Sequence, residues 1–172
     1  MNAPRCNCLF GGLAVLVAAL FFTGSGRSDD KEGKADLDKI PKAVMDTLKG
    51  RFPKAVIDKW TREKEGADVV YDIEFKIGAR KWEADIKENG TLLNFEKEIA
   101  VKDLPEAVAK AVAKRYPKGK MTEAMEMTDV KGKEEKLHGY EIIVRKADGK
   151  SVEITLAPDG KVLEAPEKEE KK

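Results

Sequence analysis

Two stretches of the chain set an apolar residue at every fourth position: Val44, Leu48 and Phe52 within IPKAVMDTLKGRFPKA (40–55), and Val108, Val112 and Tyr116 within LPEAVAKAVAKRYPKG (104–119). That spacing lines one face of an amphipathic helix. Each predicted helix opens at a proline, Pro41 or Pro105, where a missing N–H costs nothing in the first turn. Each ends at Pro53 or Pro117, because proline cannot continue the hydrogen-bond ladder and pushes its predecessor out of helical geometry.

After each helix the period falls to two. Tyr71, Ile73, Phe75 and Ile77 alternate with Asp72, Glu74 and Lys76, and Trp82, Ala84 and Ile86 alternate with Glu83, Asp85 and Lys87. The second stretch repeats this with Tyr140, Ile142 and Val144, then Val152, Ile154 and Leu156. Alternation of this kind predicts half-buried strands. Asn89-Gly90 and Asp159-Gly160 are turn dipeptides that accept positive φ and match strand twist. A further strand is expected in each copy, near Val56 to Trp60 and near Met121 to Met125.

The expected fold class is therefore α+β: two tandem units, each one helix packed on an antiparallel sheet of about four strands. Unit 1 spans 37–99 and unit 2 spans 100–165. Units of this size are marginal alone, so mutual support across an interface is expected. On this phase Trp60, Trp82, Tyr71, Phe75 and Tyr140 turn toward the helices as core rather than outward as a ligand-stacking platform.

The ends of the chain change the picture of where it works. Leu9 to Phe22 is uninterrupted apolar sequence after a single basic residue, Arg5, and Thr23, Gly24, Ser25 and Gly26 are small. Residues 1–26 thus have the pattern of a secretory signal peptide, with an uncleaved N-terminal anchor as the alternative. Either way the remainder is expected to be exported, to the periplasm or outside the cell. Cleavage would remove Cys6 and Cys8, leaving no disulfide, thiol nucleophile or thiolate metal site. Residues 27–36 read as a flexible linker and 166–172 as a disordered charged tail.

The chain has 33 basic and 32 acidic residues, and removing residues 1–26 takes away only Arg5, so the exported part is formally neutral. Such a balance argues against nucleic-acid binding, which needs a net basic field. Membrane contact is expected only if the N-terminal segment is retained. No Gly-rich phosphate loop, Walker-type lysine or zinc-ligand spacing occurs, and His138 is the only histidine. No residue set supplies nucleophile, base and oxyanion donor together, so no enzyme, no catalytic residue, no cofactor and no dedicated metal site is expected.

The outward strand positions carry the candidate site. Pairing Phe75 with Trp82 across a Gly78-Ala79 turn sets Glu74 opposite Glu83 and Asp72 opposite Asp85, and the Asn89-Gly90 turn sets Glu83 beside Glu96. Asp72, Glu74, Glu83, Asp85 and Glu96 would share one face, although like charges directly opposite cost some tenths of a kcal/mol. A basic partner or a cation would offset that cost. In the competing reading Lys59, Lys76, Lys81 and Lys87 interleave and neutralise the face. The outward positions of the second copy, Glu141, Ile143, Arg145, Ser151, Glu153 and Thr155, form no equivalent cluster in sequence.

LPEAV…KRYP followed by YEIIV, GKSVEITL and APDGKVLE, with IPKAV…GRFP, YDIEF, KWEADI and KENGTLL before them, resembles the PepSY-like, beta-lactamase-inhibitor-like domains across about residues 37–165. The resemblance implies an exported bacterial protein of tandem α+β units that inhibits or regulates an envelope enzyme through a sheet face. Such a grip uses exposed aromatic residues, whereas the aromatic residues of this chain are expected to point inward. The function expected is an exported, non-enzymatic binding module whose partner is an unidentified envelope or secreted protein. The alternatives are a weak divalent-cation binder using the acidic face of unit 1, and a structural or self-associating envelope component.

Overall fold

The computed structural model describes residues 36–166. The expected signal peptide or anchor (1–26), nearly all of the linker and the charged tail lie outside the described residues. Two helices, α1 (Lys42–Arg51) and α2 (Glu106–Arg115), each precede four strands. The strands are β1 (Val56–Glu65), β2 (Asp68–Ile77), β3 (Arg80–Lys87) and β4 (Leu92–Glu98), then β5 (Lys120–Lys131), β6 (Glu134–Arg145), β7 (Ser151–Leu156) and β8 (Val162–Glu164).

Both helices begin as their prolines dictate: Pro41 and Pro105 sit at the N-cap with extended backbone, and their carbonyls accept from Met45 N (3.1 Å) and Ala109 N (3.0 Å). Val44 and Leu48 on α1 are buried over β2 and β3 with Phe52, Tyr71, Ile73, Phe75, Ala84 and Ile86. Val108 and Val112 on α2 are buried with Ala124, Tyr140, Ile142, Val144, Ile154 and Leu156. Each of these valine, leucine, isoleucine and phenylalanine side chains, fully removed from water, contributes about 1.5–3 kcal/mol. The inward-facing set is the one that strand alternation predicts.

The two hairpin turns dock against the helices in matching places. Gly90 (φ +87°) lies under α1, where an added Cβ would sit 2.9 Å from Ala43 O, and Gly160 (φ +84°) lies under α2, where it would sit 2.6 Å from Ala107 O. Only glycine combines that backbone conformation with so close an approach. In the first half Thr47 Oγ1 also donates to Gly90 O at 2.7 Å.

The expectation of two α+β units, each with its own sheet, is corrected by the β4–β5 pairing. Asn94 lies opposite Asp129 and Glu98 opposite Met125, so all eight strands form one antiparallel sheet in sequence order, and the molecule is mostly β with two ten-residue helices. Two separate sheets would each leave an edge of unpaired N–H and C=O groups here, and joining them satisfies both edges. The cores stay distinct beneath the merged backbone. Between them, on the helix-bearing face, Lys97 and Glu126 are directly opposite and form a 3.7 Å ion pair. Arg51, at the end of α1, spans the same seam: its guanidinium lies 5.4 Å from the Phe95 ring centroid and pairs with Glu135 of β6 at 2.5 Å.

Candidate functional site

Helices cover one face of the sheet, and the strand residues of the other parity form a helix-free face. There the structure places the five candidate carboxylates as their spacing predicts. Asp72 is opposite Asp85, Glu74 opposite Glu83, and Phe75 opposite Trp82 with both rings turned to the core side. Glu83 is in turn opposite Glu96. Strands β2, β3 and β4 thus bring all five together, and all five are half-buried although no helix covers them.

The expected neutralisation by lysines fails for three of four. Lys59 Nζ reaches Glu74 Oε1 at 2.6 Å. Lys76 pairs instead with Asp58 (2.6 Å), Lys81 with Glu123 (2.9 Å) and Lys87 with Asp68 (2.5 Å). Asp85 accepts from Asn94 Nδ2 at 2.9 Å. Asp72, Glu83 and Glu96 have no hydrogen-bond or ion-pair partner among the described residues.

The titration of the face follows from that geometry. Burial first, and then repulsion from Asp85 and Glu74, push Asp72 up to about 6. Glu83 is raised to about 7 by burial and by Asp72, Glu74 and Asp85. Glu96 is raised to about 9 by burial and by Glu141 and Glu83. Asp85 is raised by burial, which outweighs the lowering by its Asn94 hydrogen bond. Desolvation disfavours the charged form, and like charges add to it.

Glu141 and Glu153 belong to the same face, although the sequence pattern does not single them out. Glu141 on β6 is raised to about 8 by burial and by Glu153 and Glu83, and Glu153 on β7 is raised by burial. Met125, opposite both Glu98 and Glu141, and Thr155, opposite Glu141, are buried between these carboxylates. Taken separately, the second half lacks a cluster; joined through β4 and β5, its glutamates extend that of the first. A signal exists in the chain, since Tyr71-Asp72-Ile73 and Tyr140-Glu141-Ile142 occupy equivalent places, as do Glu83-Ala84 and Glu153-Ile154.

Among the described residues no three His, Cys, Asp or Glu side chains converge in a way that could hold a metal ion. His138 is in the middle of β6, at the bulge between the Met127–Gly139 and Thr128–Leu137 pairs, and its Nδ1 lies 3.0 Å from Asp129 Oδ2 on an exposed surface. Trp82, Phe75, Phe52 and Phe95 form one ring cluster, with centroids 5.0–6.3 Å apart between neighbours, on the helix side. Among the described residues no helix is long and apolar enough to cross a membrane.

Solved structures share this architecture. A Bacteroides eggerthii chain, one of the "putative periplasmic proteins", is 19% identical, with 78% of this chain and 89% of that one covered at a TM-score of 0.58. A DUF2874 family protein of Bacteroides uniformis is 17% identical over 73% of this chain and 88% of its own, at 0.56. A BLIP-like protein of Bacteroides fragilis is 21% identical over 84% and 95%, at 0.51. At such identities the likeness is one of fold. No curated protein matches. Matched twice, over residues 26–94 and 69–164, the chain belongs to the family described as "Putative beta-lactamase-inhibitor-like, PepSY-like".

Proposed function

We propose that the chain is an exported, non-enzymatic binding module of the bacterial envelope, and that its helix-free sheet face docks a protein presenting basic side chains. Family membership and the periplasmic and BLIP-like descriptions of its structural relatives support the exported, non-catalytic character. One observation carries the choice of surface. Carboxylates from β2, β3 and β4 face one another across directly opposed strand positions, Glu141 of β6 and Glu153 of β7 extend the same face, and of the five central carboxylates only Glu74 is paired with a lysine, Lys59, among the described residues. Such a face is costly when empty and is relieved by lysine or arginine side chains of a partner. Inhibition or regulation of an envelope enzyme is the role that fits a non-catalytic module of this family. The inward aromatic residues make the grip electrostatic rather than aromatic.

Capture of envelope proteins on immobilised full chain tests the surface, with partners quantified by mass spectrometry. Replacing Glu83 and Glu96 by glutamine should reduce the specific partner by roughly tenfold, and replacing Glu74, Glu83 and Asp85 by lysine should abolish it. Capture should also weaken as salt rises. A partner retained equally by all variants, each verified as folded by circular dichroism, would rule the face out.

A further inference from the structure

One edge of the sheet is open along a long strand. β1 has ten residues and pairs only with β2, whereas β8 at the other edge has three. An exposed edge strand is a template for another strand, and proteins usually blunt it with charged side chains, lysine above all. β1 carries a different pattern. In DKWTREK (58–64) opposite signs sit symmetrically about Thr61: Lys59 matches Glu63, Asp58 matches Lys64, and the Trp60 ring matches the Arg62 guanidinium.

We infer that β1 pairs antiparallel with β1 of a second copy of this chain, about a two-fold axis through Thr61. In that register each Lys59 faces the other copy's Glu63 and each Arg62 lies against the other copy's Trp60, two ion pairs and two cation–π contacts. Neighbouring registers are worse. Moving the axis by half a residue sets Lys59 against Arg62 and Asp58 against Glu63, or Lys59 against Lys64 and Asp58 against Glu65, and it also puts the helices of the two copies on opposite faces. Moving it to Arg62 opposes that guanidinium to its own copy, and moving it to Trp60 loses the Lys59–Glu63 pairs.

The local geometry suits this use. Residues 59–65 pair with 74–68 of β2 without interruption, so the strand is regular where the copies would meet, and the bulge lies before it at Ile57/Lys59. Arg62, Glu63 and Lys64 are exposed and have no ion-pair partner among the described residues. Lys59 is exposed as well, and its ammonium, already on Glu74, can bridge to a second carboxylate. The product is a sixteen-strand sheet with both acidic faces on the same side, a bivalent surface whatever occupies it.

Cysteine cross-linking tests this in the full chain with Cys6→Ser and Cys8→Ser. Directly opposed Cβ atoms in an antiparallel pair are about 4.5–5.5 Å apart, so Thr61→Cys should give a disulfide-linked dimer under mild oxidation. The rate should exceed that of Lys133→Cys, on the exposed β5–β6 turn, by roughly tenfold or more at equal concentration. Adding Glu63→Lys, which opposes Lys59 by a lysine at an exposed position, should slow the Thr61→Cys reaction roughly tenfold. Sedimentation of the chain without Thr61→Cys should show a dimer that grows with concentration and dissociates in high salt. Equal cross-linking rates at positions 61 and 133, or a rate unaffected by Glu63→Lys, would overturn the proposal.

Discussion

The two halves of the molecule share a plan and differ in material. α1 and α2 sit over equivalent strands, Gly90 and Gly160 dock under equivalent alanines, and both cores close over a tyrosine, Tyr71 or Tyr140. Yet every ring–ring contact among the described residues belongs to the first half, where Phe52, Trp60, Tyr71, Phe75, Trp82 and Phe95 pack together. Apart from Tyr140 and Tyr116 the second core is aliphatic, with Val144 and Val152 where the first has Phe75 and Trp82. Cores tolerate such exchange when volume and pattern are kept. What the halves could not exchange freely is the helix-free face, where Glu74 and Asp85 of the first half correspond to Ile143 and Thr155 of the second. The first half is the denser in charge, and only through the shared sheet do Glu141 and Glu153 join it.

If the halves are one cooperative unit, damage to either should be felt in both. Ile142 is fully buried in the second core, and both tryptophans, Trp60 and Trp82, report from the first. Ile142→Ala should cost about 2–5 kcal/mol. It should lower the denaturation midpoint read by tryptophan fluorescence as much as that read by circular dichroism. A fluorescence midpoint left unmoved would show that the halves unfold separately.

The next effect in size separates the faces by pH. Glu83, Glu141 and Glu96 titrate near 7, 8 and 9 in the folded chain, above the ordinary glutamate value. Between that ordinary value and about 9 the folded state therefore holds more protons than the unfolded state, so stability is greatest at the acid end of the window and falls as pH rises. This reverses the usual behaviour of paired carboxylates. A tenfold difference in proton affinity between folded and unfolded chain is worth about 1.4 kcal/mol. Glu96→Gln should accordingly raise stability at pH 9 by several kcal/mol while changing it little near pH 5, a difference that thermal melts at the two pH values would read. A melt that is steeper in pH for Glu96→Gln than for the natural chain would refute the electrostatic picture.

A smaller effect compares the two turns. Alanine at Gly160 or Gly90 must adopt a left-handed conformation and meet a helix carbonyl, 2.6 Å away at Ala107 and 2.9 Å at Ala43. Each should cost about 1–2 kcal/mol, the Gly160 variant the more. Smallest is Thr47→Ala, which removes the hydrogen bond to Gly90 O and leaves the first turn like the second, where Ala111 stands at the equivalent position. About 1 kcal/mol is expected, seen as a small shift in urea midpoint.

Much of this is legible along the chain. The inward phase of Tyr71, Ile73, Phe75, Trp82 and Ile86, the Gly78-Ala79 turn and the opposition of Glu74 to Glu83 and of Glu83 to Glu96 follow from strand alternation and turn length, because a tight hairpin leaves few registers open. The lysines are not legible in the same way. A long flexible side chain chooses among neighbours that only the folded arrangement brings near, which is why Lys76, Lys81 and Lys87 turn to Asp58, Glu123 and Asp68.

The amino-acid order by itself determined the helices, their proline limits, the hairpins and the two apolar faces, since each follows from contacts between residues close in sequence. Only the tertiary structure decided that β4 meets β5, that one sheet rather than two results, and that Glu96 and Glu141 share a face. That choice is made by backbone N–H and C=O groups, which are the same at every residue and leave no trace in side-chain pattern.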